Sequence, residues 1–351
     1  MLAAAGAEAQ QVSWKVALFG PPRAVTMPLD WFAKQVAAKT GAQVKIELVY
    51  GEALAKPVEI VVGFAPGGGA DVAARLTAAY ASKKWGQPVN VVNMPGASGI
   101  TGTLHVLRAR PDGYTLFFDN HAVSSMLFAV QGDVPYKMDG KTPIALVTLD
   151  PVIYTVKDDS PWKSLGDVAA AAKANPRAFR YALGGIAGVA SFSVSQFLYA
   201  AGVPVPETNR VVFPGGAPAL TALAGGHVDF AGQQWSESGG LILGRKIRGL
   251  TVVHPARLPG LPDIPTAREA GFPGLDVVGW QGLSGPPGLP AAIVQKWAAL
   301  VEEAAQDPAF LEQALRVNKV IAYKGPEAFW RFQQEELKKY LPLATRLGIR
   351  K

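Results

Sequence analysis

The chain has 351 residues, of which 49% are hydrophobic and 17% charged. It can therefore bury a sizeable core, and about 100–200 residues per domain predicts two domains. Its net charge of +7, from 34 Lys and Arg against 27 Asp and Glu, weakly favours anionic ligands. The basic residues are scattered without interleaved aromatics, which argues against a nucleic-acid partner. Because the sequence has no cysteine, disulfides, thiol nucleophiles and zinc–thiolate sites are excluded, and no apolar run approaches the roughly 20 residues that span a bilayer.

The first 55 residues divide into two parts. Residues 1–12 have the composition of the end of a secretory signal, with Ala7-Glu8-Ala9 as a small-x-small cleavage site. A flexible Ala-rich terminus is an equally good interpretation. Residues 13–55 are predicted to form a β-α-β segment, with strands at 14–19 and 44–49 and an amphipathic helix at 27–40 that has Phe32 and Val36 on one face.

The stretch from residue 58 to residue 81 predicts an anion site. An apolar run at 58–64 indicates a buried strand, and an Ala-rich run at 71–81 indicates a helix. The turn between them, with the first residue of the helix, consists of Pro66, Gly67, Gly68, Gly69, Ala70 and Asp71. Glycines let a ligand approach the backbone closely, and a helix N-terminus offers unpaired N–H groups to a phosphate or a carboxylate. A tight turn without a ligand is the competing interpretation.

Known nucleotide and catalytic motifs fit poorly. A P-loop requires Lys-Ser/Thr where this chain has Ala70-Asp71, and Val72 stands where a dinucleotide fingerprint has its third glycine. The four histidines have no metal-binding spacing, and no Gly-x-Ser-x-Gly elbow is present to anchor a hydrolase triad. No cofactor and no metal are therefore expected.

Downstream, predicted strands and helices alternate to about residue 280, and the chain ends in helices. This pattern is typical of parallel sheets covered by helices, which bind ligands at the carboxyl ends of their strands. Glycine-rich or polar loops recur at those ends, at residues 66–69, 120–121, 184–188, 214–216 and 232–235. Asn120, His121 and Gln233 are candidate ligand contacts from these loops, although His121 is as readily a polar cap. Trp235 and Trp280 are expected either to stack on a ligand or to lie in the core.

Long motifs resemble those of one family in order and spacing. They include Pro66-Gly67-Gly68-Gly69-Ala70-Asp71, Asn93-Met94-Pro95-Gly96-Ala97-Ser98-Gly99, Pro111-Asp112-Gly113-Tyr114, Pro214-Gly215-Gly216-Ala217-Pro218, Gly225-Gly226-His227-Val228-Asp229 and Leu261-Pro262-Asp263-Ile264-Pro265-Thr266. The family is that of the tripartite tricarboxylate transporter solute receptors, the Bug-type periplasmic binding proteins. The resemblance runs from about Lys56 to the C-terminus.

The resemblance implies an α/β fold of the two-lobed, Venus-flytrap type, each lobe a mostly parallel sheet flanked by helices. Lobe 1 is expected at residues 56–156 and 279–351, and lobe 2 at 157–278. The implied function is that of a monomeric periplasmic receptor, not an enzyme, that delivers a small carboxylate to a membrane permease. Two alternatives remain open: an enzyme that acts on a carboxylated substrate in the same cleft, and a receptor that signals to a membrane sensor.

The resemblance also assigns ligand contacts to lobe 2. Its second ligand loop corresponds to residues 184–191, which adds Gly185, Gly188 and Ser191, and its next loop adds Phe213 and Gly215. This chain departs from the family pattern at these loops. Ala187-Gly188 replaces a Gly-Ser pair, Ser191 replaces a histidine, and Phe213-Pro214 replaces a Tyr-Lys pair, which removes a cation. These changes indicate a bulkier or less charged acid as the ligand.

Residues 13–55 resemble the start of a different family of receptors. The motifs at 20–22, 29–33 and 41–46 are similar to the opening of the receptors of tripartite ATP-independent transporters. The segment is expected either to pack on the outside of the receptor or to compete with residues 58–81 for the same position in a sheet.

Overall fold

The computed structural model describes residues 12–18, 27–40, 44–50, 56–185, 188–346 and 348–350. The predicted signal remnant up to residue 11, the motif at 20–22 and residues 186–187 of the second ligand loop lie outside these ranges. The described residues belong to two compact units, Met1–Val58 with Ala81–Val89 and Glu59–Tyr80 with Asn90–Lys351.

The strands and helices follow the predicted alternation. The strands are β1 (Val12–Leu18), β2 (Val44–Tyr50), β3 (Val58–Val62), β4 (Val89–Asn93), β5 (Thr115–Asn120), β6 (Thr142–Asp150), β7 (Val152–Lys157), β8 (Arg180–Leu183), β9 (Asn209–Val212), β10 (Phe230–Gln234), β11 (Ile247–Val252), β12 (Gly279–Gly285) and β13 (Val320–Lys324). The helices are α1 (Met27–Lys39), α2 (Gly69–Trp85), α3 (Ile100–Leu107), α4 (Leu127–Val130), α5 (Leu165–Ala174), α6 (Val189–Ala200), α7 (Gly216–Ala224), α8 (Trp235–Leu243), α9 (Ala291–Ala304), α10 (Pro308–Arg316) and α11 (Pro326–Arg346). Among the described helices, none is long and apolar enough to cross a membrane.

The N-terminal segment forms the predicted β-α-β arrangement. β1 and β2 pair in parallel as a two-stranded sheet of their own, in register from Val12 opposite Val44 to Leu18 opposite Tyr50. Trp31 and Phe32 of α1 are exposed. The six-stranded sheet contains β3 but neither β1 nor β2, so these two strands do not take the place of β3.

Two further sheets define two lobes. Lobe 1 contains the six-stranded sheet, in the order β13-β6-β12-β5-β3-β4, and lobe 2 contains the five-stranded sheet, in the order β11-β7-β10-β8-β9. The chain passes from β6 into lobe 2 at Pro151 and returns with β12. β7, which the expected boundary at residue 156 assigns to lobe 1, pairs within the lobe 2 sheet.

Both sheets are mixed, so the expectation of mostly parallel sheets is wrong. β3 and β5 are parallel, as are β8, β9 and β10. In contrast, β12 runs antiparallel to β5 and β6, and β7 runs antiparallel to β10 and β11. The reason is topological. β7 and β12 each come from the other lobe, and each enters its sheet from the side where the carboxyl ends of the parallel strands lie, so each must run in the opposite direction to those strands.

The core of lobe 2 is rich in aromatic rings. Phe230 is in ring contact with Tyr154, Phe179 and Phe197 at 5.6–5.9 Å, and all four side chains are almost fully buried. Each such side chain contributes about 1.5–3 kcal/mol by burial. α11 extends into the same core with Tyr340, while its first turn places Phe329 against Trp280 of lobe 1. The last helix therefore packs on both lobes rather than on lobe 1 alone.

Candidate functional site

The five loops singled out in the sequence meet at one cleft between the two sheets, at the carboxyl ends of β3, β5, β8, β9 and β10. They enclose a cavity of about 290 Å³. The cavity is lined by Phe64, Gly68, Gly69, Ala70, Asn120, His121, Ala122, Gly184, Gly188, Val189, Ala190, Gly215, Gly216, Gln233, Gln234, Glu237 and Gln281. A second cavity of about 650 Å³ shares Gly68, Gly69, Gly215, Gly216 and Glu237 with it, so the two form one continuous cleft.

The first glycine loop is held in place by Asp71. Its carboxylate accepts hydrogen bonds from Gly67 N–H (2.9 Å), from Nε of Arg75 (3.0 Å) and from Nδ2 of Asn93 (2.9 Å). Burial alone would raise the pKa of Asp71, but these hydrogen bonds outweigh it and the pKa is lowered. Gly67 takes the positive φ of the turn, +83°. Asp71 thus stabilises the loop, and Gly67 N–H is not available to a ligand because it donates to Asp71.

Three helix N-termini face the cavity. α2 begins at Gly69, and because Val72 N–H bonds to Gly68 O (3.0 Å), the N–H groups of Gly69 to Asp71 have no intrahelical acceptor. α6 and α7 begin after Gly188 and Gly215, neither of which offers a capping side chain. Each helix end carries about half a positive charge. Together they create a positive potential without any lysine or arginine among the described residues of the lining.

Asn120 adds a buried, unpaired donor. Its Oδ1 accepts from the N–H groups of Ala122 (2.9 Å) and Val123 (3.4 Å), which fixes the amide. Its Nδ2 has no hydrogen-bond partner among the described residues, although Asn120 is only 2% exposed. A buried donor without a partner costs about 1–3 kcal/mol. At a cavity wall, this donor is available to a ligand oxygen.

His121 is neutral at pH 7. Its Nδ1 lies 3.0 Å from Trp280 N–H, which donates to it. Burial lowers the pKa of His121 to about 4, so the ring contributes no charge to the cleft. Trp280 and Trp235 are 0% and 1% exposed. The two tryptophans were expected either to stack on a ligand or to lie in the core, and the structure places both side chains in the core.

Glu237 is the one charged side chain in the described lining, and the sequence analysis missed it. It lies in the first turn of α8, and a Cβ at Gly216 would collide with its carboxyl group. With its amide suitably oriented, Gln233 donates to Oε2 of Glu237 (3.2 Å) and accepts from Gly184 N–H (3.1 Å). Partial burial at the cleft wall and, to a lesser extent, the Asp150 carboxylate raise the pKa of Glu237 to about 7, although the residue as a whole is exposed to solvent.

A buried ion pair lies beneath Gly69. Lys319 Nζ donates to Oδ2 of Asp150 at 2.5 Å, and both side chains are 0% exposed. Ser236, in the first turn of α8, donates to the same carboxylate through its hydroxyl group (2.6 Å) and its N–H (3.1 Å). A Cβ at Gly69 would lie 2.9 Å from Lys319 Nζ, so a side chain there would displace part of the ion pair. Asp150 thus connects the end of β6 to Ser236 of α8 and to Lys319, and the described lining of the cavity still contains no cation.

The predicted site residues fall into two groups. Those that line the cavity are Gly68, Gly69, Ala70, Asn120, His121, Gly188, Gly215 and Gln233, and Gly67 lines the adjoining one. Pro66 and Asp71 line neither cavity. Ser191 donates to Gly185 O (2.7 Å), and Phe213 packs on the core of lobe 2. The described residues contain no group of His, Asp and Glu that could hold a metal ion.

Sequence reasoning also missed Phe64 and Gln281. Phe64 is the last residue of the apolar run at 58–64, which was interpreted only as a strand. Gln281 lies on β12, which joins the sheet between β5 and β6 after the chain has passed through lobe 2. A signal for Glu237 did exist, since it is an acidic residue two positions after the loop at 232–235, which was already singled out.

Comparison with known proteins places the fold and the family. A family model described as "Tripartite tricarboxylate transporter family receptor" matches residues 73–349. A protein from the tcbD-tcbE intergenic region of Pseudomonas sp. (strain P51) is 31% identical over 274 residues, 78% of this chain and 80% of the relative. Protein BugT from Bordetella pertussis is 26% identical over 298 residues, 84% of this chain and 90% of that protein.

Solved structures agree. A structure of R. palustris Rpa4515 with adipate superposes with a TM-score of 0.76 at 26% identity, covering 85% of this chain and 99% of that one. MatC from Rhodopseudomonas palustris with bound malate gives 0.69 at 31% identity, covering 82% and 98%. The periplasmic binding protein BugD gives 0.71 at 29% identity, covering 84% and 98%. These matches confirm the predicted two-lobed α/β class of fold.

Proposed function

The chain belongs to the tripartite tricarboxylate transporter family of receptors, and we propose that its solute is a small carboxylate held in the cleft between the lobes. Family membership confirms the predicted class, a solute-binding receptor rather than an enzyme. The ligand class is supported by the adipate and malate in the structures of two relatives.

The observation that carries the proposal is the convergence of three helix N-termini on one cavity. α2 belongs to lobe 1, and α6 and α7 to lobe 2. A carboxylate at such an end gains about 0.3–1 kcal/mol when exposed and up to about 2 kcal/mol when partly buried. Three ends and the unpaired Nδ2 of Asn120 can therefore bind a carboxylate without a cationic side chain.

The site residues we assign are the N–H groups of Gly69, Ala70, Val189, Ala190 and Gly216, with the amide of Asn120. The N–H groups lie in the first turns of α2, α6 and α7. This set differs from the predicted one because Gly67 and Asp71 bond to each other and Ser191 bonds to Gly185. The cavity of about 290 Å³ continues into the adjoining one of about 650 Å³, so the size of the cleft does not restrict the ligand to the most compact acids.

The proposal includes the partner and the compartment. Receptors of this family act in the periplasm and serve a tripartite transporter. We infer that this chain, as a monomer, hands its carboxylate to the membrane permease subunits of such a transporter.

A ligand screen tests the proposal. The purified protein is heated with aliphatic and aromatic mono-, di- and tricarboxylates, with uncharged amides of the same carbon skeletons as matched controls. A cognate acid at 100 times its Kd is expected to add about 2.7 kcal/mol of stability, which a melting curve detects, and calorimetry then gives the Kd. A protein that melts unchanged with every acid, or that is stabilised equally by the amides, contradicts the assignment.

A further inference from the structure

The inference concerns Glu237 and rests on the proposed function. Helix N-termini supply the positive potential of the cleft, yet one carboxyl group lies among them. Among the described residues that line the cavity, no other side chain carries a charge. A ligand that is purely anionic would have to bind beside this carboxylate, and like charges in a confined site repel.

Among the described residues, no cationic side chain forms an ion pair with Glu237. Lys319, whose charge acts on Glu237, is fully buried and bonded to Asp150 at 2.5 Å. Ser236 and Gln234 also donate to Asp150, so that carboxylate is fully engaged with these partners. Glu237 itself has one neutral partner, the amide of Gln233. The other side of the cleft presents His121, which is neutral.

The position of the carboxyl is built into the fold. Glu237 is fixed to the first turn of α8, which begins directly after β10. The carboxyl lies over Gly216, at the N-terminus of α7, where any side chain would collide with it. A negative group is therefore held at the wall, beside the same helix end that we assign to the ligand carboxylate.

We propose that Glu237 is a specificity determinant that selects carboxylates which also carry an ammonium group. The ligand carboxylate binds at the helix N-termini, and its ammonium group donates hydrogen bonds to the Glu237 carboxylate. Such a charge-assisted pair contributes more than a neutral hydrogen bond. The cleft then offers positive helix ends to the carboxylate of a zwitterionic ligand and a negative side chain to its ammonium group.

The pH dependence of affinity distinguishes this role from its alternative. The pKa of Glu237 is raised to about 7 by partial burial and by the Asp150 carboxylate, while the charge of Lys319 opposes the shift. An ammonium ligand needs the ionised carboxylate, so its affinity rises as the pH increases through 7. A second ligand carboxylate would instead need the protonated form as a hydrogen-bond donor, so its affinity would fall over the same range.

The test compares matched ligands by calorimetry on the full chain. The pairs are aspartate with succinate and 4-aminobutyrate with butyrate, each measured at pH 6 and pH 8. Wild type is expected to bind the amino member of at least one pair tenfold or more tightly, with the preference larger at pH 8. Glu237→Gln should reduce that preference to less than threefold. Glu327→Gln, the same change in the first turn of α11, should leave it unchanged.

Each other outcome is decisive. If simple carboxylates bind as well as their amino partners, or if Glu237→Gln keeps the preference, the selective role is wrong while carboxylate binding stands. Tighter binding of a dicarboxylate at pH 6 than at pH 8 assigns Glu237 as a proton donor and also overturns the inference. Failure of every carboxylate to bind a folded protein overturns the proposed function itself.

Discussion

Asp71 and Glu237 both lie in the first turn of a helix that follows the carboxyl end of a strand, Asp71 in α2 and Glu237 in α8. Asp71 accepts hydrogen bonds from Gly67, Arg75 and Asn93, and its pKa is lowered. Glu237 has a single neutral partner, and its pKa is raised to about 7. The difference teaches that position in the helix does not decide the role. What decides it is whether the chain provides donors for the carboxylate or leaves it for a ligand.

Removing the charge from each residue in turn is the strongest test of this comparison. Asp71→Asn takes a carboxylate from three donors, and charged hydrogen bonds contribute about 1.5–3 kcal/mol. Because Arg75 is 52% exposed, its ion pair adds little. We expect the free energy of unfolding at pH 7 to fall by about 2 kcal/mol in Asp71→Asn and to change by less than half as much in Glu237→Gln. Urea unfolding measures both, and equal losses would contradict the assigned roles.

The contrast also shows where sequence reasoning stops. Alternating strands and helices, and the loops at strand ends, follow from local patterns, so a cleft at those ends was predictable, whereas the two lobes were implied by the family resemblance. The donors of Asp71 were not, because Asn93 lies on another strand, 22 residues away. The same holds for the collision between a Cβ at Gly216 and Glu237, and for the antiparallel entry of β7 and β12. These features depend on non-local packing, which no local pattern encodes.

Filling the first glycine loop sharpens the comparison from the ligand side. A Cβ at Gly68 would meet only Ala65 O, at an ordinary 3.6 Å, so Gly68→Val is expected to fold. Its side chain would occupy the cavity wall beside the N-terminus of α2. We predict at least a tenfold loss of carboxylate affinity, about 1.4 kcal/mol, by calorimetry. Gly166→Val, at the exposed first turn of α5, is the matched control and should bind normally. Unchanged affinity in Gly68→Val would remove this loop from the site.

The pH dependence of stability should have opposite signs at the two carboxyls. Asp71 has a lowered pKa, so its stabilisation is complete above the unfolded value of about 3.9 and is lost as the pH falls through its folded pKa. Glu237 has a raised pKa, so it destabilises the fold as the pH rises from about 4.3, the unfolded value, through about 7.

The free energy of unfolding, measured from pH 3 to pH 8 for wild type and both variants, gives the direction of each pH dependence. Relative to wild type, Glu237→Gln should gain stability as the pH rises, by a small amount because solvent reaches the side chain and screens the effect. Asp71→Asn should approach wild type only below about pH 4. Parallel profiles for the two variants would mean that the carboxyls titrate alike.

The smallest effect is expected from removing the N-terminal segment. β1 and β2 pair with each other, whereas the first strand of the cleft-forming sheet is β3, and every residue that lines the cavity lies after residue 60. A chain that starts at Ala55 should therefore fold and keep its carboxylate affinity within about tenfold, or 1.4 kcal/mol. Solubility is the property at risk, because the segment shares a compact unit with residues 81–89. Scattering establishes that the shortened chain is monodisperse before calorimetry is done. If it is monodisperse but binds nothing that the full chain binds, residues 13–55 are part of the receptor unit, and the boundary at Lys56 is misplaced.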